Sequence, residues 1–294
     1  MSTIPTTAPI RLSEVRPAAT AYRQAFVGLL ARDFSVLRRQ LGSFLPRTLI
    51  QPLLLVFVFT YVFPKIGQGP GGPTASVLSG AARAQADAAA KQFSTALAAG
   101  VVALSIMFQG IQSVAIPLVQ EFGYTKEIED RVLAPLPVSF VALEKVVFGA
   151  LQGLFAALLV FPICAFVPAT PISLHINWLV LLTLAPLSAI ACSALGLSFG
   201  TRFEPRNISI LFGIIVLPLT FLGCVYYPWS KLTPIAWLKY GTLFNPLVYV
   251  SEGFRAALTP APHMSLVAVY LVLIGFTALF LWTGITGFNK RVLS

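Results

Sequence analysis

The chain has 294 residues, of which 57% are apolar or aromatic and only 10% charged. A soluble globule needs roughly a quarter charged residues to cover its surface, so this composition, with a mean hydropathy of +0.84, excludes a soluble enzyme and points to an outer face in lipid. The net charge of +10, with seven of the twenty Lys and Arg before Thr48, fits a membrane surface rather than nucleic acid, since each juxtamembrane cation is drawn to anionic lipid by about 1 kcal/mol.

Residues 1–43 read as a cytoplasmic arm. Their opening lacks an apolar core followed by a small-residue cleavage site, so a removable signal peptide is not expected. From Tyr22 to Gln40 a helical wheel gathers Tyr22, Phe26, Leu29, Leu30, Phe34 and Leu37 on one side and Arg32, Ser35, Arg38 and Arg39 on the other. That is the pattern of a basic amphipathic helix lying in the interface. Asp33 breaks it by falling on the apolar face, where a carboxylate requires a cationic partner or an exit from lipid.

Residues 44–294 read as one transmembrane domain. Uncharged runs of 17 residues between Arg47 and Lys65, 29 between Lys91 and Glu121, and 24 between Arg206 and Lys231 can each cross a hydrocarbon core of about 30 Å as a helix. The 56 residues from Val146 to Thr201 are twice what one helix needs, and Pro168-Ala-Thr-Pro171 divides them into a helical hairpin. A last span begins near Ser265, past Thr259-Pro-Ala-Pro262. Six spans result. With both termini inside, the inner segments carry fourteen Lys and Arg against six outside, which orients the chain with its ends in the cytoplasm. The Ala-rich stretch from Ala81 to Ala90 has high helix propensity and extends the second span outward. The loop opening at Gly67-Gln-Gly-Pro-Gly-Gly-Pro73 has no Gly-Lys-Ser/Thr to make it a phosphate cradle.

Two segments exceed the needs of spans and short loops. The stretch from Glu121 to Lys145 holds eight of the chain's thirty charged residues. Glu127 and Arg131 stand at the favourable i,i+4 helical spacing, and Pro135 and Pro137 end that short helix. It reads either as a solvated connector or as a docking element for a cytoplasmic protein. On the outer side, 227–258 contains Gly241 to Ser251, 11 uncharged residues too short to cross but suited to a helix that dips into the leaflet and returns. Glu252 and Arg255, three apart, are expected to pair so that neither charge stands bare near lipid. Trp229, Trp237, Tyr226, Tyr227, Tyr240 and Tyr249 suit the interface.

In this order, the segments Glu121-Phe-Gly123…Lys126-Glu127…Ala134-Pro-Leu-Pro-Val-Ser139, Gly196 to Asn207 and Asn245-Pro-Leu-Val-Tyr-Val-Ser-Glu-Gly-Phe-Arg255 resemble those of ABC-2 type membrane proteins, the permease subunits of ATP-binding-cassette exporters. The likeness is strongest to the drug, lipo-oligosaccharide and polysaccharide export branch, and it covers almost the whole chain. The sequence departs from that pattern in its acidic Ile128-Glu-Asp-Arg131. The resemblance implies an all-α polytopic fold with six transmembrane helices, a cytoplasmic coupling helix and outer re-entrant helices, in the bacterial inner membrane. Glu121, Phe122, Gly123, Lys126, Glu127, Arg131 and Pro135 would serve coupling within 121–139. Asn245, Pro246, Tyr249, Glu252 and Arg255 would form the outer gate within 227–258. Phe26, Leu30, Arg32, Asp33 and Arg38 would belong to the interfacial helix. ATP and Mg would be held by a separate P-loop ATPase, because this chain has no Gly-x-x-x-x-Gly-Lys-Ser/Thr, and no cofactor or metal is expected on it. A second copy or a paralogue, together with membrane lipid, would complete the pathway.

Two other functions compete. An ion-coupled secondary transporter normally needs ionisable groups within its spans, and the long runs hold no Asp, Glu, Lys or Arg. An intramembrane hydrolase finds a literal Gly196-Leu-Ser-Phe-Gly200, but an elbow needs a strand-turn-helix context and a reachable histidine, while His175 and His263 fall on the opposite side from Ser198. Small-residue helix packing accounts better for that match. Cys164, Cys192 and Cys224 are expected to be packing residues.

Overall fold

The computed structural model describes residues 18–66, 80–125, 136–168, 172 and 174–293. Every regular element among them is helical, as lipid demands, since a backbone in hydrocarbon must satisfy its own N–H and C=O groups. Helix α1 (Ala18–Arg39) ends at a turn on Gln40, and α2 (Leu41–Lys65) follows directly, passing through a π-helical stretch at Val58–Val62 six residues after Pro52. Helix α3 (Ala81–Gln120) has 40 residues, about 60 Å at 1.5 Å each. The Ala-rich stretch thus extends this helix well beyond one bilayer thickness, and α3 runs on into a π-helical turn at Glu121–Thr125. Helices α4 (Val138–Phe166) and α5 (Trp178–Arg202) form the expected hairpin. Asn177 caps α5, its side-chain oxygen accepting from the Val180 N–H.

Beyond a 3-10 turn at Pro205–Asn207 lies α6, residues 208–221, whose middle is π-helical at Leu211–Val216. The outer segment holds a short α7 (Ala236–Gly241), a 3-10 turn at Thr242–Phe244 and α8 (Pro246–Leu258). Helix α9 (Leu266–Leu293) closes the chain.

Among the described residues five helices are long and apolar enough to cross a membrane: Leu41–Lys65, Ala81–Gly123, Val138–Phe166, Trp178–Arg202 and Leu266–Val292. The fifth expected crossing differs. Its 24-residue uncharged run is helical only over 208–221, about 21 Å at the α-helical rise. The helix stops because the chain turns from Leu222 through Tyr227 ahead of Pro228, with Cys224 at φ 53° in the left-handed region, where a non-glycine residue is uncommon.

Helices α3 and α5 form the centre. Leu97, Ile106, Met107, Ile111 and Leu118 of α3 are fully buried, as are Leu184 and Leu197 of α5. Their close approach depends on small residues: a Cβ on Gly196 would lie 2.9 Å from the Ile111 carbonyl oxygen. Helix α4 packs on both, α9 packs on α5, and α8 lies against α3, α5 and α9. Helices α1 and α2 attach at the side, on α4 and, for α2, also on α3. The apolar window of α2 is only 11% buried within the chain, and that of α9 likewise, against 67% for α3.

Candidate functional site

The three cysteines are buried and free, which fits packing. Ser198, the residue of the hydrolase-like match, donates to the Phe280 carbonyl at 2.8 Å and meets the Thr283 hydroxyl at 2.9 Å. It sits between two helices, inside the small-residue seam where Gly196 and Gly200 meet α3, with no elbow around it.

The described residues of the expected sites gather at two places. The first lies where α1, the end of α3 and the start of α4 converge. Lys145 was expected at the end of a charged loop; it instead stands two turns inside α4, because Val138-Ser-Phe-Val-Ala-Leu-Glu-Lys145 folds helically straight after Pro137. Its ammonium lies 2.6 Å from Glu121 Oε1 and 3.4 Å from Asp33 Oδ2. All three side chains are at least nine-tenths buried, so their charges interact in a low effective dielectric and are screened little by salt. Asp33 therefore has its cation, and the apparent flaw in the helical wheel is the contact that docks α1. Phe26 and Leu30 are half-buried, while Arg32 and Arg38 are exposed, so the arm has the expected two faces near Asp33. Phe34, expected on the apolar side, is 61% exposed, which narrows that face.

The following residues tie the end of α3 to the ends of α5 and α9. The Phe122 ring meets Phe288 edge-on with centroids 5.5 Å apart, and the Arg291 guanidinium lies 4.7 Å from the Phe122 centroid. Arg291 also donates to the carbonyl of Phe203 at 3.1 Å, where α5 ends. Gly123 faces Pro205 so closely that no Cβ fits between them. Lys126, Glu127, Arg131 and Pro135 lie outside the described residues.

The second place is α8. It is a buried strut, starting at Pro246 rather than at Gly241, because Asn245 caps it: Oδ1 accepts the Leu247 N–H at 2.9 Å and Nδ2 donates to the Leu219 carbonyl of α6 at 2.7 Å. Arg255 and Glu252 pair as the i,i+3 spacing suggested, both essentially inaccessible. The pair also holds backbone. Arg255 donates to the Cys224 carbonyl at 3.0 Å, while the Glu252 carboxylate accepts the N–H of Trp229 at 2.8 Å and of Met264 at 2.9 Å. Tyr249, expected in the interfacial belt, is buried instead and donates to the Leu243 carbonyl at 3.0 Å. At the far end of α8 the carbonyls of Leu258 and Ala257 accept N–H groups of His175 and Asn177 at 2.9 and 2.7 Å. Trp237 and Tyr240, on α7, are exposed as a belt requires.

Sequence reasoning missed a ladder of polar groups, one arginine and otherwise uncharged, between α2, α3 and α4. Arg47 donates to Gln112 Oε1 at 3.0 Å, Thr48 donates to Gln109 Oε1 at 3.2 Å, and Gln109 Nε2 donates to Gln152 Oε1 at 3.0 Å. A search for formal charge overlooks glutamine. The available signal was three Gln residues inside otherwise apolar runs.

The sequence profile of the ABC-2 type transporter family matches residues 24–259, from the first turns of α1 to the end of α8. Among curated proteins the chain is similar to the inner membrane transport permease YadH of Escherichia coli (strain K12) and to its counterpart in Shigella flexneri. Each is 31% identical over 186 residues, which are 62% of this chain and 69% of the relative. Five apolar spanning helices, a side-docked amphipathic arm and a match across both polar clusters lead to one assignment: the chain belongs to the ABC-2 type transporter family and is a multi-pass permease, the membrane subunit of an ABC transporter.

Proposed function

We propose that this subunit works as an exporter, moving an amphipathic, drug-like or lipid-linked glycan cargo out of the cytoplasm across the bacterial inner membrane. Energy comes from a separate cytoplasmic P-loop ATPase that holds ATP and Mg, and a second copy or a paralogue of the chain completes the pathway. The observation that carries this reading is the buried Asp33–Lys145–Glu121 cluster. Glu121 opens the charged stretch to Ser139 that serves as the coupling segment, and Lys145 ties it at once to a core helix and to the interfacial arm. A push on that segment therefore reaches α3, α4 and α1 together, as rigid-body rearrangement of the two halves requires.

A six-crossing topology belongs to the same proposal. Gly123 abuts Pro205 and Gly100 abuts the Val225 carbonyl, so residues 205–225 follow the stretch of α3 from position 123 back to 100, about 34 Å at 1.5 Å per residue. That exceeds the hydrocarbon core of about 30 Å. On this reading α6 and its flanking turns complete the fifth crossing, both ends of the chain face the cytoplasm, and Asn245, Pro246, Tyr249, Glu252 and Arg255 belong to the outer closure.

The test is association. Exchanging the charges in Glu127→Arg/Arg131→Glu is expected to lower co-purification of the cognate ATPase at least fivefold while membrane insertion stays intact. Unchanged co-purification would remove docking from this stretch.

A further inference from the structure

A cleft of about 520 Å³ opens between α1, α2, α3 and α4 beside the Lys145 cluster, within the range of small-molecule sites. One wall carries the polar ladder: Arg47, Gln109, Gln112 and Gln152 line it, and Phe44 and Phe148 supply apolar surface. The polar groups are unevenly used. The acids at the mouth, Asp33 and Glu121, face Lys145. At the α2 wall, on an exposed position, Arg47 spends one of its five N–H donors on Gln112, and the Gln112 carbonyl oxygen is the atom that receives it. The remaining Arg47 donors and the Gln112 amide N–H groups make no further hydrogen bond among the described residues. This wall is therefore rich in donors and bears a cation, and the side-chain oxygens of Gln109, Gln112 and Gln152 are already engaged. Its complement is an anion with several acceptor oxygens.

Position then selects the source of that anion. Gln112 lies within the uncharged run 92–120, nine residues before Glu121 and about 14 Å from it along the helix, and Arg47, bonded to it, stands at the edge of the uncharged run 48–64. Leu45, Leu49 and Leu53 continue α2 into the apolar region, and Arg32, Arg38 and Arg39 of α1 put positive charge at the mouth, where anionic lipid concentrates. A molecule whose polar end reaches Arg47 while its tail stays in hydrocarbon satisfies both surroundings.

We infer that this cleft binds the phosphate-bearing headgroup of an anionic membrane lipid, the phosphate oxygens taking N–H donors from Arg47 and Gln112 and the glycerol and first methylenes lying on Phe44 and Phe148. Bidentate contact from a guanidinium to phosphate is the strong form of such a bond. The site adjoins the Lys145 cluster, but neither ATPase docking nor outer closure has to hold for it.

The full-length chain is to be purified in mild detergent, given phosphatidylglycerol or phosphatidylcholine, and weighed by native mass spectrometry for retained lipid. Wild-type chain is expected to retain phosphatidylglycerol at least fivefold more tightly than phosphatidylcholine. Arg47→Gln/Gln112→Leu is expected to lose that preference, whereas Lys231→Gln, an exposed position away from the cleft, keeps it. Equal retention of the two lipids by wild type, or unchanged preference in the double variant, overturns the inference. A third arm adds millimolar inorganic phosphate. If free phosphate displaces the lipid fully, the site is one for soluble anions and the lipid assignment fails; if the lipid remains, the tail contributes as inferred. Should the double variant not fold, the wild-type lipid preference and the phosphate arm still decide the matter.

Discussion

Lys145 is one ammonium shared by two carboxylates that arrive from 112 residues upstream and 24 residues upstream. Taking three charges out of water is costly, and the cluster is stable only while opposite signs stay together. Lys145→Met is therefore expected to destabilise the fold by about 3–5 kcal/mol, the usual cost of stripping a buried charge of its partner. Neutralising all three, as Asp33→Asn/Glu121→Gln/Lys145→Met, is expected to cost much less. Thermal unfolding in detergent checks both; a triple variant no more stable than Lys145→Met would show that charge pairing is not what holds α1 in place. The sequence disclosed half of this. Asp33 stood out because a carboxylate on an apolar helix face demands a cation, but nothing in the spacing of Asp33 and Lys145 marks them as neighbours. Only the packing of α1 on α4 does that. Glu252 and Arg255 were legible because their partner relation is local, fixed by the helical repeat.

The elements show the same division between local and long-range information. Length and hydropathy alone locate α2, α3, α4, α5 and α9, since an apolar run of some twenty residues has few other fates. Helix α8 was legible only as an anomaly. Its sequence, too short to cross, suggested a helix that dips into the leaflet and returns; within the chain that helix is a buried strut whose carboxylate and guanidinium hold the turns before and after it. Those hydrogen bonds to Trp229, Met264 and Cys224 are invisible in sequence because they involve backbone groups, which every residue offers alike. The strut makes a sharp expectation. Glu252→Gln or Arg255→Met alone is expected to lower stability by about 3–5 kcal/mol and to reduce transport in proportion. The pair Glu252→Gln/Arg255→Met, which leaves no lone charge while Gln still accepts one backbone N–H, is expected to recover part of the loss. Equal damage in the three variants, read by thermal unfolding, would assign the strut's stability to packing rather than to the ion pair.

For the whole molecule, the unequal burial of the spans sets the assembly. Helix α3 is covered by its own chain, whereas the apolar windows of α2 and α9 are 11% buried, so their surfaces must meet lipid or another subunit. Which side each end of the chain occupies follows from the number of crossings, and that number turns on α6. Were the stretch 205–225 to stay on one side, five crossings would put α1 and the end of α9 on opposite faces. If it follows α3 across, six put them on the same face, in agreement with the bias of Lys and Arg. The distinction is measurable with single cysteines at Ser35, an exposed position of α1, and at Lys290, in the last turn of α9, in a chain whose Cys164, Cys192 and Cys224 are replaced by Ala. A membrane-impermeant maleimide is expected to label neither site in intact cells and both after permeabilisation. A third cysteine, at Ser76 in the sequence between α2 and α3, is expected to react from outside without permeabilisation. Labelling of Lys290→Cys in intact cells, with Ser35→Cys protected, would reduce the crossings to five, and the charged stretch that follows α3 could still face an ATPase, but α6 and its turns would then have to return to the side from which they started.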